Sequence, residues 1–232
     1  WGTIKYAAIN TGVSFSQRES HDSTVSTRVL KFTQTVLGRN RMEEIGAAKI
    51  QIREDIGKII SAVAESDIAK KVRAIEDRLF EFANFLEAKI TLLYVSGDNE
   101  VQTKNIIKRA YSYNKIVVLP AFDPKMFEME LMKVDKFAQE LKPGPRGVPE
   151  PNAGRCKIVP IDRIDIAIIP GIAFDEKGGR IGTGRGYYDR LIPKLAITTR
   201  KVALTLEEQI IPQVPMESHD KHVDIIITDK RI

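Results

Sequence analysis

The chain has one cysteine in 232 residues, so no disulfide can form within it. A lone thiol argues for a reducing compartment. That cysteine, Cys156, stands beside Lys157 ahead of an apolar run and reads as a strand-edge residue rather than a nucleophile. No apolar run approaches the length of a bilayer span, which excludes a membrane-crossing helix from the reading. No internal repeat and no low-complexity tract is present, so solenoids and fibrous classes fall away. Acidic residues are scarce in one place only: residues 1–41 hold six basic side chains against two acidic ones, a charge of +4. The net charge of the whole chain is +5, which leaves +1 for residues 42–232. The sequence pI of 9.2 is therefore largely a property of the first segment and poor support for a folded nucleic-acid-binding surface. Removing residues 1–41 would discriminate that reading, since it would remove most such binding.

Residues 1–41 show no sustained helical or strand period, and they are rich in Ser, Thr and Arg. They read as an extension outside the fold, disordered or non-native, with a transit peptide as the competing reading. Met42 stands where a natural start would, just before the first helical pattern. Residues 42–232 have the size and the ordinary composition of one globular domain, at 43% hydrophobic and 29% charged over the chain.

From Met42 to about Ala64 the spacing predicts a helix with Ile45, Ile52, Ile56, Ile59, Ile60 and Val63 on one face. Lys49 and Arg53, four apart, share another face; taken alone, such a pair reads as a solvated basic surface. Ser66–Asp67 can cap a second helix, about 68–86, with Val72, Ile75, Leu79, Phe82 and Leu86 inward. Residues 90–95 read as a buried strand, 100–112 as a helix and 115–120 as another buried strand. Residues 165–170, 201–206 and 223–228 are further strand-length apolar runs. Near-continuous apolar strands alternating with helices mark a parallel sheet. The fold class expected is α/β, a three-layer α/β/α domain with a mainly parallel sheet. Residues 127–134 read as an edge strand. Residues 142–154, KPGPRGVPEPNAG, hold too many prolines and glycines for regular structure and read as a long functional surface loop.

The informative stretch is Ile168–Pro193, IIPGIAFDEKGGRIGTGRGYYDRLIP. A buried run ends at Pro170–Gly171, glycines recur at 182, 184 and 186, and a helix-like segment opens at Tyr187. Strand, glycine-rich loop and helix together place backbone N–H groups around a phosphate. Arg180 and Arg185 add cations suited to phosphate oxygens, and Asp189 is a candidate magnesium ligand. The loop is neither GxxxxGK[ST] nor GxGxxG, because Tyr187 stands where the last glycine would be.

Five pieces in order resemble the 5-formyltetrahydrofolate cyclo-ligase (methenyltetrahydrofolate synthetase) family. They are Lys49-x-x-x-Arg53, Glu100-Val-Gln-Thr103, Glu150–Pro151, the 170–189 block, and a C-terminal block of Glu208-Gln-Ile, Gln213-Val-Pro, Asp220 and Val223–Asp224. The 170–189 block is the specific piece, and the resemblance spans about residues 45–229. It implies a fold of the NagB/RpiA/CoA-transferase type and an ATP- and magnesium-dependent ligase. The implied reaction turns 5-formyltetrahydrofolate into 5,10-methenyltetrahydrofolate through a phosphorylated formyl group, releasing ADP and phosphate. Carried over by position, Lys49, Arg53, Arg180, Ile181, Gly182, Thr183, Gly184, Arg185, Gly186, Tyr187 and Tyr188 bind ATP. Lys49, Arg180 and Arg185 act on the transferring phosphoryl group. Val95, Glu100 and the segment Thr183 to Tyr187 contact the folate, and Asp189 and Asp220 hold the magnesium. His219 reads as a solvated loop residue. Thr183 departs from the family's usual Tyr or Arg; Ile181 and Ile52 are conservative. The implied partner is a small molecule, with no membrane or specific nucleic acid, for a cytoplasmic monomer. Organelle import applies if residues 1–41 are a transit segment. A different ATP-dependent enzyme on the same scaffold is the rival reading, and the folate-pocket residues would discriminate it.

Overall fold

The computed structural model describes the main chain of residues 23–232 and the side chains of residues 42–232. Residues 1–22 of the expected extension lie outside the described residues. The helices are α1 (Ser23–Ser61), α2 (Glu65–Glu81), α3 (Ala83–Glu87), α4 (Lys104–Ser112), α5 (Phe137–Glu140) and α6 (Tyr187–Leu191). The strands are β1 (Ile90–Leu92), β2 (Ile116–Asp123), β3 (Glu128–Lys133), β4 (Leu141–Pro143), β5 (Pro149–Pro151) and β6 (Lys157–Ile158). They continue with β7 (Ile166–Ile168), β8 (Ala173–Phe174), β9 (Arg180–Ile181), β10 (Arg200–Leu204) and β11 (Ile225–Ile227). Helix α1 thus begins N-terminal to the expected start at Met42. The architecture that follows is that of Met42–Ile232.

Seven strands form one sheet in the order β11-β10-β7-β1-β2-β3-β6. The pairs from β11 through β2 are parallel, and β3 and β6 add on antiparallel. Successive residues of the parallel strands enter opposite cores, as a period of two requires. Ile166, Ile168, Val202 and Leu204 pack in one core with Leu93, Val117 and Leu119. Ala167, Ile169 and Ala203 pack in the other with Leu92 and Val118. A sheet buried on both faces has no polar face, which is why these strands read as unbroken apolar runs. The α/β fold expected from the sequence is the one observed. Among the described residues no helix is long and apolar enough to cross a membrane.

Four local expectations are corrected. Ser66 and Asp67 do not cap α2; they lie inside its first turn, after Ala64. The second helix breaks at Phe82, whose extended backbone (φ −72°, ψ 116°) resets the register, so Phe85 is fully buried and Leu86 is 45% exposed. Strand β3 is not the sheet edge over its whole length, because β6 pairs with its end, Met132 with Ile158 and Lys133 with Lys157. Residues 142–154 are not wholly irregular: β4 and β5 pair as a hairpin, Leu141 with Pro151 and Pro143 with Pro149. Pro tolerates such a short, isolated ladder because it gives up only its own N–H donor. The buried Glu150 anchors the hairpin to the sheet by accepting a hydrogen bond from the Phe122 N–H (3.1 Å).

The turn after β8 is fixed by the Asp175 carboxylate. Its Oδ1 accepts from the amides of Lys177 (3.0 Å) and Gly179 (2.9 Å), and its Oδ2 from Val214 (2.8 Å). Gly178 in that turn has φ +83°, and a Cβ there would lie 2.3 Å from the Val223 carbonyl oxygen. Gly178→Ala is therefore expected to destabilise the protein by at least about 1–3 kcal/mol, the usual range for overpacking, with positive-φ strain in addition. A urea titration checks it. An unchanged midpoint would contradict the close approach of these two segments.

Candidate active site

The cleft lies beyond the carboxyl ends of β1 and β7, where open parallel sheets bind their ligands. Its first wall is α1. Lys49, Ile52, Arg53, Ile56 and Ile60 recur at helical spacing, and Ile56 is buried against Ile172, Ala173, Ile181 and Val214. Lys49 is itself buried, 8% exposed, so the expected solvated basic face is instead part of the helix's inner face. Ile59, expected inward, is exposed. Docking of the apolar positions is what turns the two cations toward the glycine loop.

Arg53 Nε donates to the Gly182 carbonyl (2.8 Å). Gly184 has φ +93°, and a Cβ there would come to 3.5 Å of Arg53 Nη2. Gly186 (φ +66°) sits at the start of α6 in the left-handed region. Thr183 and Arg185 project from this loop, exposed. Behind it, Arg180 Nη2 donates to Asp189 Oδ1 (2.6 Å), and the Lys221 amide donates to the same oxygen (3.1 Å). The Arg180 side chain is only 3% exposed. Burial holds its guanidinium below the ordinary arginine value, and the Asp189 carboxylate opposes that shift.

The third wall is the loop before β11. Lys49 Nζ donates to Asp220 Oδ2 (2.5 Å) and Glu217 Oε2 (2.7 Å). Burial works against the Lys49 ammonium, but hydrogen bonds and charge from Asp220 and Glu217 outweigh it and raise its pKa. Burial likewise opposes ionisation of Asp220, yet the Glu217 amide (2.7 Å) and Lys49 hold its carboxyl below the usual value. Donor atoms of Glu217, His219 and Asp220 lie within 4.8 Å of one another. Each expected metal ligand keeps one carboxylate oxygen, Oδ2 of Asp189 and Oδ1 of Asp220, that accepts no hydrogen bond from the described residues.

All of the sequence-predicted nucleotide and metal residues line this cleft, about 170 Å³ in volume: Lys49, Arg53, Arg180–Tyr188, Asp189 and Asp220. Glu100 lines it too, and a narrower cavity of about 10 Å³ opens beside it, with Val95 and Glu100 in its wall. Glu100 does not open a helix, since α4 begins only at Lys104. It closes a turn, accepting the Gly97 amide on Oε2 (2.9 Å). Burial raises its carboxyl pKa, against the pull of the Gly97 N–H and Arg146. Thr103, in the same motif, ties the turn to β1's end through the Tyr94 carbonyl (2.6 Å) and the Ser96 amide (3.2 Å).

Sequence reasoning missed Arg146 and Glu217. Arg146 stands on the tip of the β4–β5 hairpin with its guanidinium over the rings of Phe122 (4.2 Å) and Tyr187 (5.8 Å), and it lines both cavities. The signal available was a lone arginine in the proline-rich loop already read as functional. Glu217 had only its position three residues before Asp220.

The model of the 5-formyltetrahydrofolate cyclo-ligase family matches residues 45–229. A probable 5-formyltetrahydrofolate cyclo-ligase of Schizosaccharomyces pombe is 30% identical over 197 residues, covering 79% of this chain and 96% of the relative. One from Caenorhabditis elegans is 29% identical over 195 residues, with coverage of 80% and 95%. Among solved structures, the 5,10-methenyltetrahydrofolate synthetase of Aquifex aeolicus superposes with TM-score 0.69 at 26% identity, covering 79% of this chain and 90% of that one. That of Mycoplasma pneumoniae superposes with TM-score 0.63 at 20% identity, covering 78% and 98%, and shares the fold.

Proposed function

The chain belongs to the 5-formyltetrahydrofolate cyclo-ligase family, and on that premise we propose how its cleft closes the methenyl ring of 5,10-methenyltetrahydrofolate at the expense of ATP. The observation that carries the reading is the joining of two unlike cavities. One is walled by Lys49, Arg53, Arg180 and a glycine loop, and suits a polyphosphate. The other, narrow as it stands, is walled by Val95, Pro120, Phe122 and Val148 around the Glu100 carboxylate, and once widened offers apolar walls and an acceptor to a flat ring carrying N–H donors.

The chemistry asks for that juxtaposition. A formamide oxygen is a poor leaving group; once it carries the γ-phosphoryl group of ATP it leaves as phosphate when the neighbouring folate nitrogen attacks the formyl carbon. Phosphoryl transfer needs mainly positioning and charge neutralisation. Lys49, Arg180 and Arg185 supply cations to the phosphoryl oxygens. Arg53 holds the loop through the Gly182 carbonyl, and a glycine loop ahead of a helix can offer its amides to the phosphates. Glu100 fixes the pterin through its donors, and Thr183 to Tyr187 line the junction on the nucleotide side. The free oxygens of Asp189 and Asp220 fit a hard divalent cation, and these two residues would hold magnesium. That ion, when bound, neutralises phosphate charge. A monomer in the reducing cytoplasm fits a small-molecule substrate and a single buried thiol.

Lys49→Met tests the nucleotide end. KM for ATP is expected to rise about tenfold or more, the loss of a charge-assisted hydrogen bond. KM for 5-formyltetrahydrofolate is expected to stay within about threefold. The opposite pattern, with the folate KM moving and the ATP KM fixed, would reverse the assignment of the two cavities.

A further inference from the structure

Tyr188 differs from the other tyrosines around the cleft. Tyr94 donates its hydroxyl to the Val101 carbonyl (3.3 Å), and Tyr187 donates to the Asp123 carbonyl (3.4 Å). Tyr188 is just as buried, 7% exposed, yet its hydroxyl has no hydrogen-bond partner among the described residues. Its ring packs firmly in the core with Leu191, Ile169 and Phe174, so the position of the hydroxyl is set by packing rather than by a partner. A buried donor left unpaired destabilises the free protein, and each such group in a native structure calls for an explanation, a catalytic role among them. Tyr188 also lies in the wall of both cavities, a place that among the described residues it shares with Glu100, Arg146 and Pro170. A second buried donor in the same cleft, Arg180 Nε, likewise has no partner among the described residues.

We propose that the Tyr188 hydroxyl is a catalytic hydrogen-bond donor to the formyl-derived oxygen as it departs as phosphate in the ring-closing step. This rests on the cyclo-ligase reading above. In the first step the formyl oxygen bonds to the γ-phosphorus, the bond from phosphorus to the β,γ-bridging oxygen breaks, and ADP takes the electron pair. In the second, the folate nitrogen attacks the formyl carbon and the carbon–oxygen bond breaks. Phosphate takes that pair, and the nitrogen releases its proton to solvent. Negative charge gathers on the departing oxygen only in the second step, and the junction of the nucleotide and folate cavities is where that oxygen must sit. A donor fixed there by packing needs no reorganisation when the charge appears. The narrow cavity has to widen to admit the pterin, and Arg146, Val148 and Pro149 of the hairpin line one side of it.

The test is Tyr188→Phe in the full chain, which keeps the ring and removes only the unpaired hydroxyl. The melting temperature of the free protein is expected to be equal to or above that of the wild type. Steady-state kcat is expected to fall about a hundredfold, as for loss of one preorganised donor, with both KM values within about threefold. In a single turnover, ADP sampled by chemical quench should form at close to the wild-type rate, while methenyl absorbance, followed continuously at neutral pH without a quench, lags behind it. A kcat within twofold of wild type would overturn the proposal. So would equal slowing of ADP and methenyl formation, which would place the hydroxyl in the first step. A lower melting temperature with kcat unchanged would make Tyr188 a structural residue and also overturn it. Absence of methenyl product from the wild type would instead overturn the cyclo-ligase reading on which the proposal stands.

Discussion

Asp189→Ala is expected to lower kcat by at least about a hundredfold and to lower the melting temperature by roughly 10 °C. The catalytic part follows from loss of a carboxylate that would hold the metal in the transition state, so kcat falls more than KM rises. The stability part comes from the pair with Arg180, whose side chain is 3% exposed and whose ion-pair partner among the described residues is Asp189. Breaking a buried pair from one side leaves an uncompensated charge, which typically destabilises by about 3–5 kcal/mol. In a domain of this size each kcal/mol corresponds to about 2–4 °C. Asp189→Asn separates the two effects. The amide oxygen still accepts from Arg180 Nη2 and the Lys221 N–H, so part of the melting temperature should return, although the Arg180 charge stays uncompensated. The neutral ligand should leave kcat low. Wild-type kcat in both variants at ordinary magnesium would remove Asp189 from the metal site.

Glu100→Gln is expected to raise KM for 5-formyltetrahydrofolate by about an order of magnitude or more, since a hydrogen bond to a charged group contributes roughly 1.5–3 kcal/mol. KM for ATP should hardly move. The substitution is nearly isosteric, and the Gln side-chain oxygen can still accept the Gly97 amide, now at 2.9 Å. Burial penalises the ionised carboxylate, so the neutral amide is expected to leave the free protein no less stable. A drop in stability with an unchanged folate KM would make Glu100 a turn-closing residue only, and the narrow cavity would lose its claim on the pterin.

The parallel sheet was legible because burial on both faces writes itself as apolar runs, as at Ile166–Ile169. The glycine loop was legible because its conformation favours glycine, with positive φ at Gly184 and Gly186. Other parts were hidden for physical reasons. Lys49 and Arg53 look like a solvated face because helical periodicity marks apolar positions. It carries no sign that a lysine will find two carboxylates 168 and 171 residues away. Phe85 and Leu86 exchanged places because a single extended residue at Phe82 resets helical register. Several motif residues turned out to support the site from behind. Gln209 spends its amide on the Asn99 and Ile172 carbonyls, at 3.0 and 2.9 Å, and accepts from the Leu206 N–H at 2.9 Å. Asp175 and Thr103 likewise bond to backbone. A motif records that a residue type is required; only packing tells whether it faces the ligand or the loop that faces the ligand. Arg146 was hidden by its loop, whose prolines concealed a hairpin anchored by Glu150.

The most direct measurement is the absorbance of methenyltetrahydrofolate on mixing the protein with 5-formyltetrahydrofolate, with and without ATP and magnesium. The expected result is a rise that requires ATP and releases one ADP and one phosphate for each methenyl product. Nucleotide binding with no methenyl product from 5-formyltetrahydrofolate would contradict it, and would assign the second cavity to a different small molecule.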